Sequence, residues 1–145
     1  MTRPMHAEPQ LGHHDAARVI DAVRAVLEAD DRGAAVAVVD AHGELLAFLR
    51  TDGCPLSSIG NAVNKAFTAA RERTDSASVG AASRAEGFPI TNFGDLRYTG
   101  WGGGVPIVHE GRVVGAVGVS GLPEADDIEL ARLGAAVPLG PQPRP

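Results

Sequence analysis

Three consecutive glycines, Gly102-Gly103-Gly104, set between Trp101 and Val105-Pro106, constrain this chain more than any other feature. Each gives up backbone entropy and offers no side chain to pack, so the fold must need space or a positive φ there. Two readings stay open: a ligand lying against bare backbone whose N–H groups bind an anionic oxygen, or a bulge at the entry to a strand. No nucleotide motif absorbs the run. Gly100-Trp101-Gly102-Gly103-Gly104-Val105 lacks the last glycine of GxGxxG, and no GK[ST] follows a glycine loop. Gly118-Val119-Ser120-Gly121-Leu122 breaks the GxSxG nucleophile elbow at its final position, which argues against a serine hydrolase.

The periodicity around this run alternates between helical and extended. Ala16, Val19, Ile20, Val23, Val26 and Leu27 recur at helical spacing over 15–28, and Asp15, Arg18, Asp21 and Arg24 take the other side. Ala35 to Val39 and Glu44 to Arg50 flank Asp40-Ala41-His42-Gly43 as a β-hairpin. Ser57 or Ser58 is placed to cap a second helix through about Arg73, with Ile59, Val63, Ala66, Phe67 and Ala70 as its apolar stripe. A short third helix is weakly encoded over 74–83, and 84–98 has no sustained period and reads as an ordered loop. Val105 to His109 and Arg112 to Ser120 make a second hairpin around Glu110-Gly111. Pro123 opens a last helix to about Ala136, with Ile128, Leu130, Ala131 and Leu133 for burial. Helices interleaved with hairpins imply an antiparallel sheet with helices packed on it, an α+β layered domain.

Composition excludes several functions. A chain of 145 residues suits one core. Its net charge is −5 with no basic run, so nucleic acid is not expected as a partner. No window is long and apolar enough to span a bilayer, and residues 1–10 lack an apolar signal core, so no membrane association and a cytoplasmic location are expected. A single cysteine, Cys54, excludes an internal disulfide and a cysteine-based zinc cluster. The domain is expected over 11–137, with 1–10 and 138–145 as flexible tails.

Few side chains stand out chemically. Lys65 lies between Val63 and Phe67, beside the apolar stripe; if buried it needs an anionic partner, and otherwise it snorkels to water. No HExxH or other close histidine pair occurs on a helix, so zinc is unsupported. His14 is a weak candidate as axial ligand to a tetrapyrrole metal, against a plain surface histidine.

Taken in order, Asp40-Ala41-His42-Gly43, Arg50-Thr51-Asp52-Gly53, Asn64-Lys65-Ala66-Phe67-Thr68-Ala69, Gly102-Gly103-Gly104-Val105-Pro106-Ile107 and Val114-Gly115-Ala116-Val117-Gly118-Val119-Ser120-Gly121 carry a resemblance. Over about 11–136 the chain resembles the GlcG/HbpS family of haem-binding-protein-like domains, related to the C-terminal domain of PduO. The resemblance implies a profilin-like layered sandwich, an antiparallel sheet of about five strands flanked by helices, in a homo-oligomer of two or more chains, with haem and corrinoids among the family's ligands. The family's Lys-Ala-x-Thr-Ala signature maps to Lys65, Ala66, Thr68 and Ala69, and its late Asp-x-x-Ile/Leu-Ala signature to Asp127, Leu130 and Ala131.

On that basis a small-molecule pocket is expected between the glycine run and the Lys65 helix, with Arg50, Lys65, Tyr98, Trp101, Gly102, Gly103 and Gly104 as ligand-binding residues. The expected ligand is haem or another planar, carboxylate-bearing molecule. An enzyme is the alternative: a cofactor-independent proton-transfer lyase or isomerase with Lys65 and Asp127 as catalytic groups and the glycine N–H groups stabilising an oxyanion. A pocket-lining Gly103 implies that Gly103→Val blocks the ligand and leaves the fold largely intact.

Overall fold

The computed structural model describes residues 2–141. The chain runs α1 (His13–Ala29), β1 (Ala35–Asp40), β2 (Leu45–Arg50), α2 (Ser57–Glu72), α3 (Ser76–Glu86), a 3-10 turn (Ile90–Phe93), β3 (Gly104–His109), β4 (Arg112–Ser120) and α4 (Glu124–Ala135). Both expected hairpins are present, and pairing of β1 with β4 joins them into one antiparallel sheet in the order β2-β1-β4-β3. The sheet therefore has four strands where about five were expected. The stretch between α3 and β3 coils into the 3-10 turn and loop, because Pro89 and Gly94 (φ 75°) interrupt any extended run. No helix among the described residues is long and apolar enough to cross a membrane.

Strand alternation sorts side chains between two faces. Val36, Val38, Val117 and Val119 face one way and pack with Ala16, Val19, Val23 and Leu27 of α1 and Leu130 and Ala131 of α4. Ala35, Ala37, Val39 and Ala116 face the other way, against Ala62, Ala66, Ala69 and Ala70 of α2. The sheet is thus the middle layer, with α1 and α4 on one side and α2 on the other.

The α2 face is almost entirely alanine. Of the expected stripe, Ala66, Phe67 and Ala70 are fully buried while Ile59 and Val63 are only half-buried, and Ala62 and Ala69 join the buried face. Small residues on both sides let backbones approach: a Cβ at Gly118 would overlap the Ala62 carbonyl oxygen and lie 2.7 Å from the Ala66 nitrogen. On α4, Leu130 and Ala131 are buried as expected, but Ile128 is half-buried and Leu133 is 40% exposed.

Neither serine caps α2. Leu56 holds the N-cap position with no side-chain cap bond, so Ser57 and Ser58 fall inside the first turn. At the C-terminal end, Val137 and Leu139 pack on the core and the Gly140 N–H donates to Asp15 Oδ1 at 2.9 Å. Met1 and 142–145, parts of the expected tails, lie outside the described residues. β3 is a sheet edge and carries Pro106 opposite Ala116.

Substitution of glycine should separate close packing from helix propensity. Gly118→Ala is expected to destabilise by about 1–3 kcal/mol through overpacking. Gly60→Ala, at an α2 position with open space around its Cβ, is expected to stabilise by about 0.5–1 kcal/mol. Urea unfolding measures both, and a neutral Gly118→Ala contradicts the close approach of α2 to β4.

Candidate functional site

Lys65 settles between its two readings in favour of burial: it is 3% exposed. Its Nζ donates to the Val119 carbonyl oxygen at 2.9 Å and to Asp127 Oδ2 at 3.1 Å. Asp127 is itself 3% exposed, and its Oδ1 accepts the Leu122 N–H at 3.1 Å. Burial pushes the Asp127 carboxyl above the ordinary aspartate value, against the opposing pull of the Lys65 ammonium and of the Leu122 and Gly121 N–H groups.

Lysine and aspartate start from opposite layers, α2 and α4, so the side chain must pass the sheet. It does so where β3 begins. A Cβ on Gly103 (φ 125°) would stand 2.5 Å from the Val119 carbonyl oxygen, 3.0 Å from Lys65 Nζ and 3.1 Å from Lys65 Cδ. The neighbouring glycines serve the same end. A Cβ on Gly102 would lie 2.6 Å from Ile128 Cδ1 of α4, and one on Gly104 would overlap the Lys65 carbonyl oxygen of α2. All three glycines are buried among protein atoms. Two of their N–H groups are engaged as well: Gly102 donates to Glu124 Oε2 at 3.2 Å and Gly104 to Ser76 Oγ at 2.9 Å. Ser76 Oγ donates in turn to the Trp101 carbonyl oxygen at 2.7 Å. The run is therefore a gate for Lys65 and a contact between layers, which explains the glycines without a ligand on them.

Above the pair opens a polar cleft of about 380 Å³, lined by Pro55, Ser57, Ser58, Asn61, Lys65, Trp101, Ser120, Gly121, Leu122, Glu124 and Asp127. Residues 58, 61 and 65 share one face of α2 at i, i+3 and i+7. Ser58 and Ser120 are each 5% exposed, and among the described residues no hydrogen-bond partner meets either hydroxyl. The first turn of α2 adds the positive end of the helix dipole, its Ser58 and Ile59 N–H groups donating to the Pro55 and Leu56 carbonyl oxygens at 3.0 and 3.3 Å. Two of the three ammonium protons of Lys65 are accounted for by Val119 and Asp127. The cleft therefore presents the Lys65 ammonium and the two serine hydroxyls as donors, beside two carboxylates, Asp127 paired with Lys65 and Glu124 at the rim.

Of the residues expected at the pocket, Lys65, Asp127 and Trp101 come together, Trp101 as a rim side chain 60% exposed. Arg50 does not join them: it ends β2, two strands from β4, and shares a separate hollow with Arg24, Arg32 and Asp52. Tyr98 also lies elsewhere, stacked on Phe93 at 4.3 Å between centroids and donating from its hydroxyl to Glu72 Oε2 at 3.0 Å. Burial and that bond raise its phenol above the usual value. His14 is exposed at the start of α1, its ring 4.2 Å from that of His13. The Leu11 N–H bond to the Val114 carbonyl places this end of α1 at the opposite end of β4 from Ser120. Ser57, Ser58, Asn61, Ser120 and Glu124 were not anticipated. One signal was legible in the sequence: Lys65 is the chain's single lysine, every other basic side chain apart from histidine being arginine.

A family model described as haem degrading protein, HbpS-like, matches residues 11–136. An uncharacterised 15.0 kDa protein of Citrobacter freundii, from the dhaT-dhaS intergenic region, is 39% identical over 90 residues, 58% of this chain and 61% of that protein. The match thus spans about three fifths of that relative's length. The crystal structure of a double mutant of Streptomyces reticuli HbpS superposes with a TM-score of 0.83 at 30% identity, covering 94% of each chain. A PduOC:heme complex superposes with a TM-score of 0.79 at 24% identity, over 88% of this chain and 94% of that one, a likeness of fold. The cleft does not fit an iron-ligated haem: its lining holds no histidine, cysteine, methionine or tyrosine. Among the described residues no group of three or more His, Cys, Asp or Glu is arranged to hold a metal ion.

The ion pair makes a sharp energetic expectation. Lys65→Met and Asp127→Leu should each destabilise by about 3–5 kcal/mol, since either leaves an uncompensated buried charge, and the double variant should recover most of that loss. A double-mutant cycle by urea unfolding checks this, and additive single losses would refute the coupling. Gly103→Ala should also lower stability, because its Cβ contests the space of the lysine; this reverses the expectation of an intact fold for substitutions there.

Proposed function

The chain belongs to the HbpS-like family, and from that premise we propose that it is a small-molecule-binding protein whose Lys65 cleft takes a carboxylate-bearing ligand. The observation that carries this reading is the pair of serines, Ser58 and Ser120, each 5% exposed, whose hydroxyls have no protein partner among the described residues and line the cleft beside the Lys65 ammonium. Hydroxyls that no protein group engages and that open onto a cleft are free to donate to an acceptor-rich guest. The α2 N-terminus favours that guest as an anion. Trp101, on the rim, offers a planar apolar face for the rest of the molecule.

A second reading keeps haem, the ligand that the family description and the PduOC complex bring forward. It is favoured by His14, whose exposed imidazole lies outside the cleft. Proton-transfer chemistry at Lys65 and Asp127 remains the enzymatic alternative; the direct contact of the two groups at 3.1 Å supports it. Homo-oligomerisation is supported by Val108 and Leu45, 56% and 51% exposed on the two edge strands.

Calorimetric titration with acetate, succinate and citrate should give saturable binding of at least one, weakened tenfold or more in Ser58→Ala. Folded protein that gives no binding heat with all three contradicts the carboxylate cleft. Haemin at micromolar concentration reads the second possibility: a saturable Soret shift lost in His14→Ala and kept in Ser58→Ala assigns haem to the histidine. Light scattering is expected to report a mass above that of one chain.

A further inference from the structure

The chain uses arginine for its permanent cations and keeps one lysine, which it buries at the floor of the cleft. For a purely structural ion pair with a carboxylate, arginine has the better geometry, with a planar fork and two parallel donors. Lysine differs in one chemical respect, since its ammonium can shed a proton and become a nucleophilic amine. Asp127 Oδ2 stands 3.1 Å from Nζ, placed to receive that proton. Lys65 lines the same cleft as Ser58 and Asn61 about two turns along one face of α2, so a guest whose carboxylate sits on the Ser58 hydroxyl brings its other end toward Nζ.

We propose that Lys65 forms a Schiff base with a carboxylate-bearing aldehyde or ketone held in this cleft. The inference rests on the carboxylate reading of the cleft and names the class of molecule it takes. The step balances without an oxidant or reductant. Lys65 passes one ammonium proton to Asp127, and the freed amine attacks the carbonyl carbon, forming a C–N bond as the C=O π pair moves to oxygen. A nitrogen proton transfers to that oxygen to give the neutral carbinolamine. Asp127 then returns its proton to the hydroxyl, which leaves as water, and the nitrogen lone pair closes the C=N bond. The product is an iminium cation beside a carboxylate, the same charge arrangement as the resting pair. Asp127 carries a carboxyl raised by burial, which suits it to hold the proton between these two transfers.

A narrower role for lysine is available: its slim stem fits past Gly103. Reductive trapping separates the two. The full chain is incubated with sodium cyanoborohydride and pyruvate, 4-oxobutanoate or acetaldehyde, with Nα-acetyllysine in the same tube as a free-amine control. Intact mass and peptide mapping then report the site of addition. With one lysine in the chain, only Lys65 and the terminal amine can be labelled, and mapping distinguishes them. The expected result is labelling of Lys65 by at least one of the two oxo acids, ten times faster or more than the control, slowed by added succinate and slowed in Ser58→Ala. Acetaldehyde, lacking the carboxylate, should label no faster than the control.

Lys65 labelling no faster than the free amine with both oxo acids overturns the proposal, as does acetaldehyde labelling as fast as the acids. If calorimetry still shows carboxylate binding, the Schiff base alone has failed. If neither binding nor labelling occurs, the carboxylate reading has failed with it.

Discussion

Lys65 reaches its counter-ion only by crossing from one helical layer to the other, and the surroundings of the cleft follow from that crossing. The side chain leaves α2, passes Gly103 at the start of β3, and meets Val119 and Asp127 on the far side. An ammonium buried this deeply is tolerable only with its hydrogen bonds made, so β4 must supply a carbonyl and α4 a carboxylate at fixed positions. The Leu122 N–H holds the other oxygen of that carboxylate, which ties the turn between β4 and α4 to the same point. Three elements remote in sequence are thereby registered against one nitrogen atom.

The same crossing accounts for how much of the fold could be read from the sequence. The hairpins and the first two helices were legible because hydrophobic period and turn residues agree within each segment. The glycine run was conspicuous but ambiguous, since a glycine needed to admit a ligand and one needed to admit a lysine look alike without the packing partner. What fills the space at Gly103 comes from α2, far earlier in the chain, and no local pattern reports it. The buried face of α2 was legible in part, Ala66, Phe67 and Ala70 being buried as expected, and its departure at Ile59 and Val63 has a related reason. Ile59 and Val63 carry the larger apolar side chains, but the facing strands present Ala35, Ala37, Ala116 and Gly118, which select alanine from the helix.

The site itself was half legible. Lys65 and Asp127 could be paired through family signatures, whereas Ser58 and Asn61 looked like ordinary residues at a helix start. Their role depends on the N-cap falling at Leu56, one residue earlier than a serine cap would place it, which turns the serines from caps into cleft donors. Arg50 and Tyr98 were expected at the pocket on the basis of the family resemblance. Strand order removes the first, since β2 lies at the far edge of the sheet, and stacking on Phe93 holds the second.

The two open edges of the sheet are unlike each other. On β3 the midpoint is Pro106, which has no N–H to offer, so a strand arriving from outside would find its ladder broken at the centre. On β2 the run Leu45 to Arg50 contains no proline. Strand addition from another polypeptide is thereby steered to one side of the molecule. The proline beside the glycine gate keeps the cleft's own edge from being recruited into a neighbour's sheet.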